Sequence, residues 1–182
     1  MVNTFIVDFD FKKSASLIDS LRLGKQRSEC KIIINVIQDL KFLASSYKIE
    51  YDEKDTLGTY INKIKKFYLS LDYAYIRVSK FYIKCDKKDE RRFKLGYCSH
   101  PGTKMWFYNL NSLKEYTNSI IEEWVKRGKE NKMALYKIKG EAIKPGWLNK
   151  DFILRHQSNL KRKDKDYYKF DVPDDLGYIW PY

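Results

Sequence analysis

Between positions 25 and 45 the residues Cys30, Ile33, Ile34, Ile37, Leu40 and Ala44 recur at three- and four-residue spacing, which predicts one long amphipathic helix. A stripe that long must be covered, so the fold has to be built against it. Extending the helix one turn backward puts Gln26 and Glu29 on the same inward side. Gly24 predicts the break before this helix, and residues 14–23, with Leu17, Ile18 and Leu21, predict a shorter helix ahead of the break.

The remaining pattern is also mainly helical. Phe5, Val7, Phe9 and Phe11 alternate, which predicts an extended, partly buried start. Residues 46–58 are polar and turn-like, and Ile61, Ile64, Tyr68 and Leu71 then return to helical spacing. The stretch 73–84 fits helix or strand on period alone; helix is the expectation here. Residues 86–92 are a charged loop. Ser112 and Glu115 have capping-box spacing and open a helix through Tyr116, Ile120 and Trp124, with Gly128 at its C-terminal end. A last helix over 149–163 sets Phe152, His156 and Leu160 on one face and Arg155, Asn159 and Arg162 on another, and the tail with Pro173 and Pro181 is irregular. With 182 residues and no internal repeat, the expectation is one compact, mainly α domain over 1–182 with a short extended N-terminal segment and a basic aromatic insertion at about 46–95.

Charge narrows the class of partner. The net charge is +12, and it is concentrated: residues 59–94 hold 11 basic and 4 acidic side chains, and residues 150–169 hold 7 and 3. Both segments are rich in Tyr and Phe. Phosphate contact needs local positive charge and base contact needs flat rings, so the pattern suits a nucleic acid better than a neutral metabolite; a solvated basic face is the plainer alternative. Hydrophobic content of 43% and aromatic content of 16% exclude a disordered chain. Cys30, Cys85 and Cys98 are an odd number without metal spacing, which fits reduced thiols inside a cell and no zinc. No apolar run approaches the roughly 18 residues of a membrane span and no leader is legible, so a soluble intracellular protein is expected.

The densest chemical constellation is RLGKQRSE, Arg22 through Glu29. Arg22, Lys25 and Arg27 put cations beside a helix start, where unpaired N–H groups welcome a phosphate. Glu29 is an inward carboxylate among them. It reads either as an acid/base or charge-stabilising group, or as a first-turn glutamate paired with Lys25. His100, on a turn next to Pro101 and Gly102, could touch phosphate or base or simply serve the turn; His156 lies on an apolar face, with Arg155 and Arg162 suited to DNA backbone. Asp8 and Asp10 are the residues a metal-dependent nuclease would use.

The order of RLGKQRSE, SHPGTKMW, LKEYTNSIIEEWVKRG, WLNKDFILRHQSNLKRKD and DLGYIWPY resembles the pyrimidine-dimer DNA glycosylase (phage endonuclease V) family, most of all its small bacterial members. The resemblance covers 1–45 and 96–182. It implies a helical monomer that binds double-stranded DNA containing a damaged or modified base, flips a nucleotide, breaks the glycosidic bond and cleaves the backbone by β-elimination, without metal or other cofactor. The family's nucleophile is the N-terminal α-amine, which here is that of Val2 after loss of Met1; with a pKa of about 8 it is neutral often enough to attack. Where phage members carry a glutamate directly after the arginine matching Arg22, this chain has Leu23, so the carboxylate role passes to Glu29. The resemblance further implies that Arg22, Lys25 and Arg27 hold flanking phosphates, that Gln26 bonds near the sugar or flipped base, and that His100, Arg155, His156, Lys161, Arg162 and Lys163 add DNA contacts. A DNA-binding protein without catalysis, and the metal-dependent nuclease, are the alternatives. The compartment would be cytoplasm or nucleoid, or nucleus or viral factory for a viral protein.

Overall fold

The computed structural model describes residues 4–78, 81–86, 93 and 95–181. The chain is mainly helical: α1 (Phe11–Leu17), α2 (Ser20–Ser46), α3 (Leu57–Ser70), α4 (Pro101–Trp106), α5 (Leu110–Lys126) and α6 (Lys150–Lys163), with one antiparallel pair, β1 (Tyr73–Val78) and β2 (Phe81–Asp86). The described residues fall into two compact units. One takes the chain up to Lys31 and again from Tyr108 to Pro181, and the other runs from Ile32 to Phe107. The basic aromatic stretch 46–95 lies within the second.

In the second unit, the later part of α2 buries Ile33, Ile34, Ile37, Leu40 and Leu43, the stripe that dominates the sequence. Thr56 caps α3, accepting the Thr59 N–H, and Ile61, Ile64 and Tyr68 form its buried face. Tyr73–Val78 and Phe81–Asp86 pair as antiparallel strands, with Tyr73 opposite Asp86 and Val78 opposite Phe81, not the helix expected. Their Tyr, Ile, Val and Phe residues favour a pleated strand, and composition outweighed an ambiguous period. Most of the expected charged loop, 87–92, lies outside the described residues.

In the first unit, the long helix begins earlier than Gly24 suggests. The break falls at Ile18, whose backbone is extended (φ −90°, ψ 135°). Asp19 then caps α2, its Oδ1 accepting the Arg22 N–H at 3.0 Å. Gly24 sits inside the helix for a packing reason: a Cβ there would lie 2.9 Å from the Trp124 ring. The capping box at Ser112 is also corrected. α5 starts at Leu110, and Ser112 instead donates its hydroxyl to the Ile143 carbonyl, tying down an irregular segment. The C-terminal end holds as expected, with Gly128 at φ +72° and its N–H on the Val125 carbonyl. Asn149 caps α6 through the Phe152 N–H at 2.9 Å.

The start of the chain is extended but is not paired as a strand. Phe5, Ile6 and Val7 are all buried, so the predicted alternation fails, because helices of the first unit supply partners on every side. Their three N–H groups go to side chains: Phe5 to Gln26 Oε1 (2.7 Å), Ile6 to His156 Nδ1 (3.1 Å) and Val7 to Ser14 Oγ (2.9 Å). The Tyr116 hydroxyl donates to the Phe5 carbonyl, and Gln157 Nε2 to that of Val7 at 2.8 Å. A buried backbone must be hydrogen-bonded, and here polar side chains from α1, α2, α5 and α6 replace a neighbouring strand.

Candidate active site

The pinned start of the chain forms one wall of a cavity of about 960 Å³, within the size range of small-molecule sites. Phe5 contributes that wall. The first turns of α2 supply Ser20, Leu21, Arg22, Gly24, Lys25, Gln26, Arg27, Ser28 and Glu29, while α5 adds Trp124 and α6 adds Lys163. Six of the residues expected at a site therefore come together: Arg22, Lys25, Gln26, Arg27, Glu29 and Lys163. The α2 contribution is a nearly continuous run at the start of that helix, and the α6 lysine arrives because its helix is anchored to the chain start through His156 and Gln157.

The cations are held differently. Arg22 pairs with Asp19 (Nη1 to Oδ2, 2.8 Å), lies 3.7 Å from Asp164, and has its guanidinium carbon 5.6 Å from the centre of the Tyr168 ring. The hydroxyl of Tyr168 donates to Asp19 and accepts the Asp19 N–H at 3.1 Å. Burial alone would raise the Asp19 carboxyl's pKa, but the hydrogen bonds from Arg22 and Tyr168 outweigh it and hold the value below normal. Arg27 stacks 4.8 Å over the Trp124 ring and donates to Asn131 Oδ1 at 2.5 Å. Lys163 reaches over the Phe5 ring at 4.9 Å. Burial, with Arg22, Arg162 and Lys25 nearby, lowers the pKa of its ammonium against the opposing pull of Glu29.

Gln26 is buried, and its amide orientation is fixed because Oε1 takes the Phe5 N–H. It shapes the chain start as well as the cavity.

The other expected site residues that the structure describes lie apart from the cavity lining. His156 is fully buried, with Nδ1 accepting the Ile6 N–H and its pKa pushed down by burial to about 3. It is a neutral ring holding the chain start, and in that position it cannot meet a phosphate. His100 belongs to the second unit and caps α4, Nδ1 accepting the Gly102 N–H at 3.0 Å. The α6 cations mostly secure the C-terminal tail: Arg155 bonds Asp151 (2.9 Å) and the Gly177 carbonyl (3.1 Å), Lys161 the Val172 carbonyl (2.7 Å) and Arg162 the Asp174 carbonyl (3.3 Å). Val2 lies outside the described residues. Asp8 is paired with Lys13 at 2.7 Å, and Asp10 caps α1 through the Lys12 and Lys13 N–H groups, so the aspartates proposed for metal chemistry serve the helix start.

Sequence reasoning missed Asp19, Tyr168 and Trp124. An Asp directly before a helical run is a readable cap signal. Trp124 shows in the sequence only as part of a helix face, and no sequence signal links Tyr168 to a residue 149 positions earlier.

No curated protein and no solved structure matches the chain. The family model for pyrimidine dimer DNA glycosylases matches residues 2–137, three quarters of the chain. The match runs through 46–95, where the motifs gave nothing to align, and takes in the whole α2 contribution to the cavity. The chain therefore belongs to the pyrimidine dimer DNA glycosylase family, a family of DNA-repair enzymes.

Proposed function

We propose that the protein removes a damaged pyrimidine from double-stranded DNA and then cleaves the strand as an AP lyase, through an imine between the Val2 α-amine and the sugar. The observation that carries this reading is the gathering of Glu29 with Arg22, Lys25, Arg27 and Lys163 in a cavity walled by Phe5. Extended chain spans at most about 3.6 Å per residue, so the amine of Val2 lies within about 11 Å of Phe5. The bonds that pin Phe5, Ile6 and Val7 fix the described start of the chain at the cavity wall, which supports this reading.

In the proposed sequence the neutral amine attacks C1′ of an extruded nucleotide, and the base departs with the electron pair of the glycosidic bond and takes up a proton. The amine gives up one proton to match the one the base takes, the C1′–O4′ bond then breaks with its pair on O4′, and O4′ takes the second amine proton as the nitrogen lone pair forms the imine. Glu29 takes the proton released at C2′, the C3′–O bond breaks, and the phosphate leaves with that pair. Water then hydrolyses the imine and frees the amine. Arg22, Lys25 and Arg27 hold the phosphates on either side of the extruded nucleotide, and Gln26 keeps the chain start in register beside it.

The test is borohydride trapping on an ultraviolet-dimer duplex, an abasic duplex and an undamaged duplex. A covalent adduct on both damaged duplexes, with none on the undamaged one, is the expected result. Trapping on the abasic duplex alone restricts the activity to lyase chemistry. Tight, salt-sensitive binding with no adduct on either overturns the reading in favour of a binding protein.

A further inference from the structure

We infer that Lys163 is a second imine-forming amine, able to condense with the aldehyde of an abasic deoxyribose independently of the N-terminal amine. The inference rests on the proposed imine chemistry and adds a residue to which neither the family resemblance nor the geometry of the other cations assigns more than a phosphate contact.

Three features separate Lys163 from the other basic residues of α6. It lines the cavity, whereas Arg155, Lys161 and Arg162 are bonded to the C-terminal tail. Its Nζ is placed 4.9 Å from the centre of the Phe5 ring, the described cavity residue closest in sequence to Val2. An amine from the far end of the sequence therefore reaches the wall that the start of the chain forms. Its backbone is fixed as well, since it is the last residue of α6 and its carbonyl accepts from Arg22 Nη2 at 3.5 Å.

The electrostatic setting is compatible with a nucleophile. Arg22 and Lys25 share the cavity with it, and with partial burial they shift the lysine toward its neutral form, the form that attacks a carbonyl. Glu29 lines the same cavity and is close enough to act on Lys163 electrostatically. The chemistry balances without any further reactant. Neutral Nζ adds to C1′ of the open-chain aldehyde and passes one proton to the aldehyde oxygen, the carbinolamine loses that hydroxyl and the remaining Nζ proton as water, and the imine nitrogen then takes a proton from solvent water to give a protonated imine. Glu29 accepts the C2′ proton, and the C3′–O bond breaks with its pair leaving on the phosphate.

The experiment is borohydride reduction of the full chain on an abasic duplex, before and after selective acylation of the α-amine at near-neutral pH, followed by peptide mapping of the adduct. The reduced sugar is expected on the peptide that contains Lys163, and trapping of the acylated protein is expected to persist and to fall by at least about tenfold in Lys163→Gln. In the acylated protein, Lys163→Arg, which keeps the charge but is a poor nucleophile, should lose the adduct as Lys163→Gln does. An adduct confined to the N-terminal residue, with the Lys163 peptide unmodified, overturns the inference and leaves the proposed function standing. No adduct at either amine overturns both. The mapping is performed on the unsubstituted protein, so its answer does not depend on any variant folding.

Discussion

Asp19 holds Arg22 at two points, Oδ1 accepting the backbone N–H at 3.0 Å and Oδ2 accepting Nη1 at 2.8 Å. One carboxylate thus starts α2 and aims the first cation of the cavity, while Tyr168 holds the carboxylate from the other side. Tyr168→Phe removes that buried hydroxyl and is expected to cost about 1–3 kcal/mol, read as a shift of the denaturant midpoint without a change in slope. Asp19→Asn keeps a capping side chain but removes the charge facing Arg22, so it should weaken DNA binding less than Arg22→Ala does if Arg22 works by position as well as charge. The pH dependence has a definite sign. The folded Asp19 carboxyl lies below its unfolded value of about 3.9, so its contribution is complete above that value and is lost as pH falls through the folded one. Asp19→Asn should therefore flatten acid unfolding below about pH 4 and leave the slope at neutral pH unchanged.

Gly24 and Trp124 give a prediction in which propensity and packing oppose each other. Alanine is better than glycine inside a helix by about 1 kcal/mol, yet a Cβ at Gly24 would sit 2.9 Å from the indole. Gly24→Ala is expected to destabilise by about 1–3 kcal/mol as Trp124 is displaced, and to disturb the stacking of Arg27 on that ring. In a Trp124→Ala background the same substitution should become stabilising. A double-mutant cycle by chemical unfolding measures this, and an equal cost in both backgrounds would remove the ring contact as the cause.

His156 predicts a second, separate pH effect. Its folded pKa of about 3 lies far below the unfolded value of about 6.5, so the unfolded chain binds one more proton between the two. Stability is complete above about pH 6.5 and declines as pH falls, with a limiting slope of about 1.4 kcal/mol per pH unit from this one group. His156→Gln should abolish that slope. It should also loosen the start of the chain, because Nδ1 accepts the Ile6 N–H; hydrogen exchange at Ile6 reads this directly.

The sequence displays its long-range apolar logic more openly than its polar logic. The stripe from Cys30 to Ala44, the helix through Ile61 and Ile64, and the α6 face with Phe152, His156 and Leu160 are all buried as their spacing requires. Arg22 through Glu29 stand out in the sequence as cations gathered around a carboxylate, and Arg22, Lys25, Arg27 and Glu29 line one cavity in the structure. Three things could not be read in this way. The break before α2 depended on one Asp cap competing with a glycine that had a packing role. The paired strands β1 and β2 have a period compatible with either structure. The roles of Gln26, His156 and Tyr116 depended on a buried, unpaired chain start, and local spacing does not reveal which backbone groups need distant side-chain partners.

Glu29→Gln separates catalysis from binding. The carboxylate lines the cavity among cations, and its amide analogue keeps the shape while removing the proton acceptor. Strand cleavage on an abasic duplex is expected to fall by about 10²–10⁴-fold, the usual scale for a lost acid/base group. DNA affinity should stay the same or rise, because no phosphate contact is removed and one negative charge leaves the cavity; the dependence of log K on log salt should keep its slope. Lys25→Ala should do the reverse, lowering affinity and reducing that slope by about one phosphate contact with a smaller effect on the chemical step. EDTA should change neither rate, since the proposed imine chemistry uses an amine and a carboxylate only. If Glu29→Gln cleaves at the unsubstituted rate, the proton must be taken elsewhere, and Glu29 is then a cavity charge that sets the state of Lys163 rather than the base.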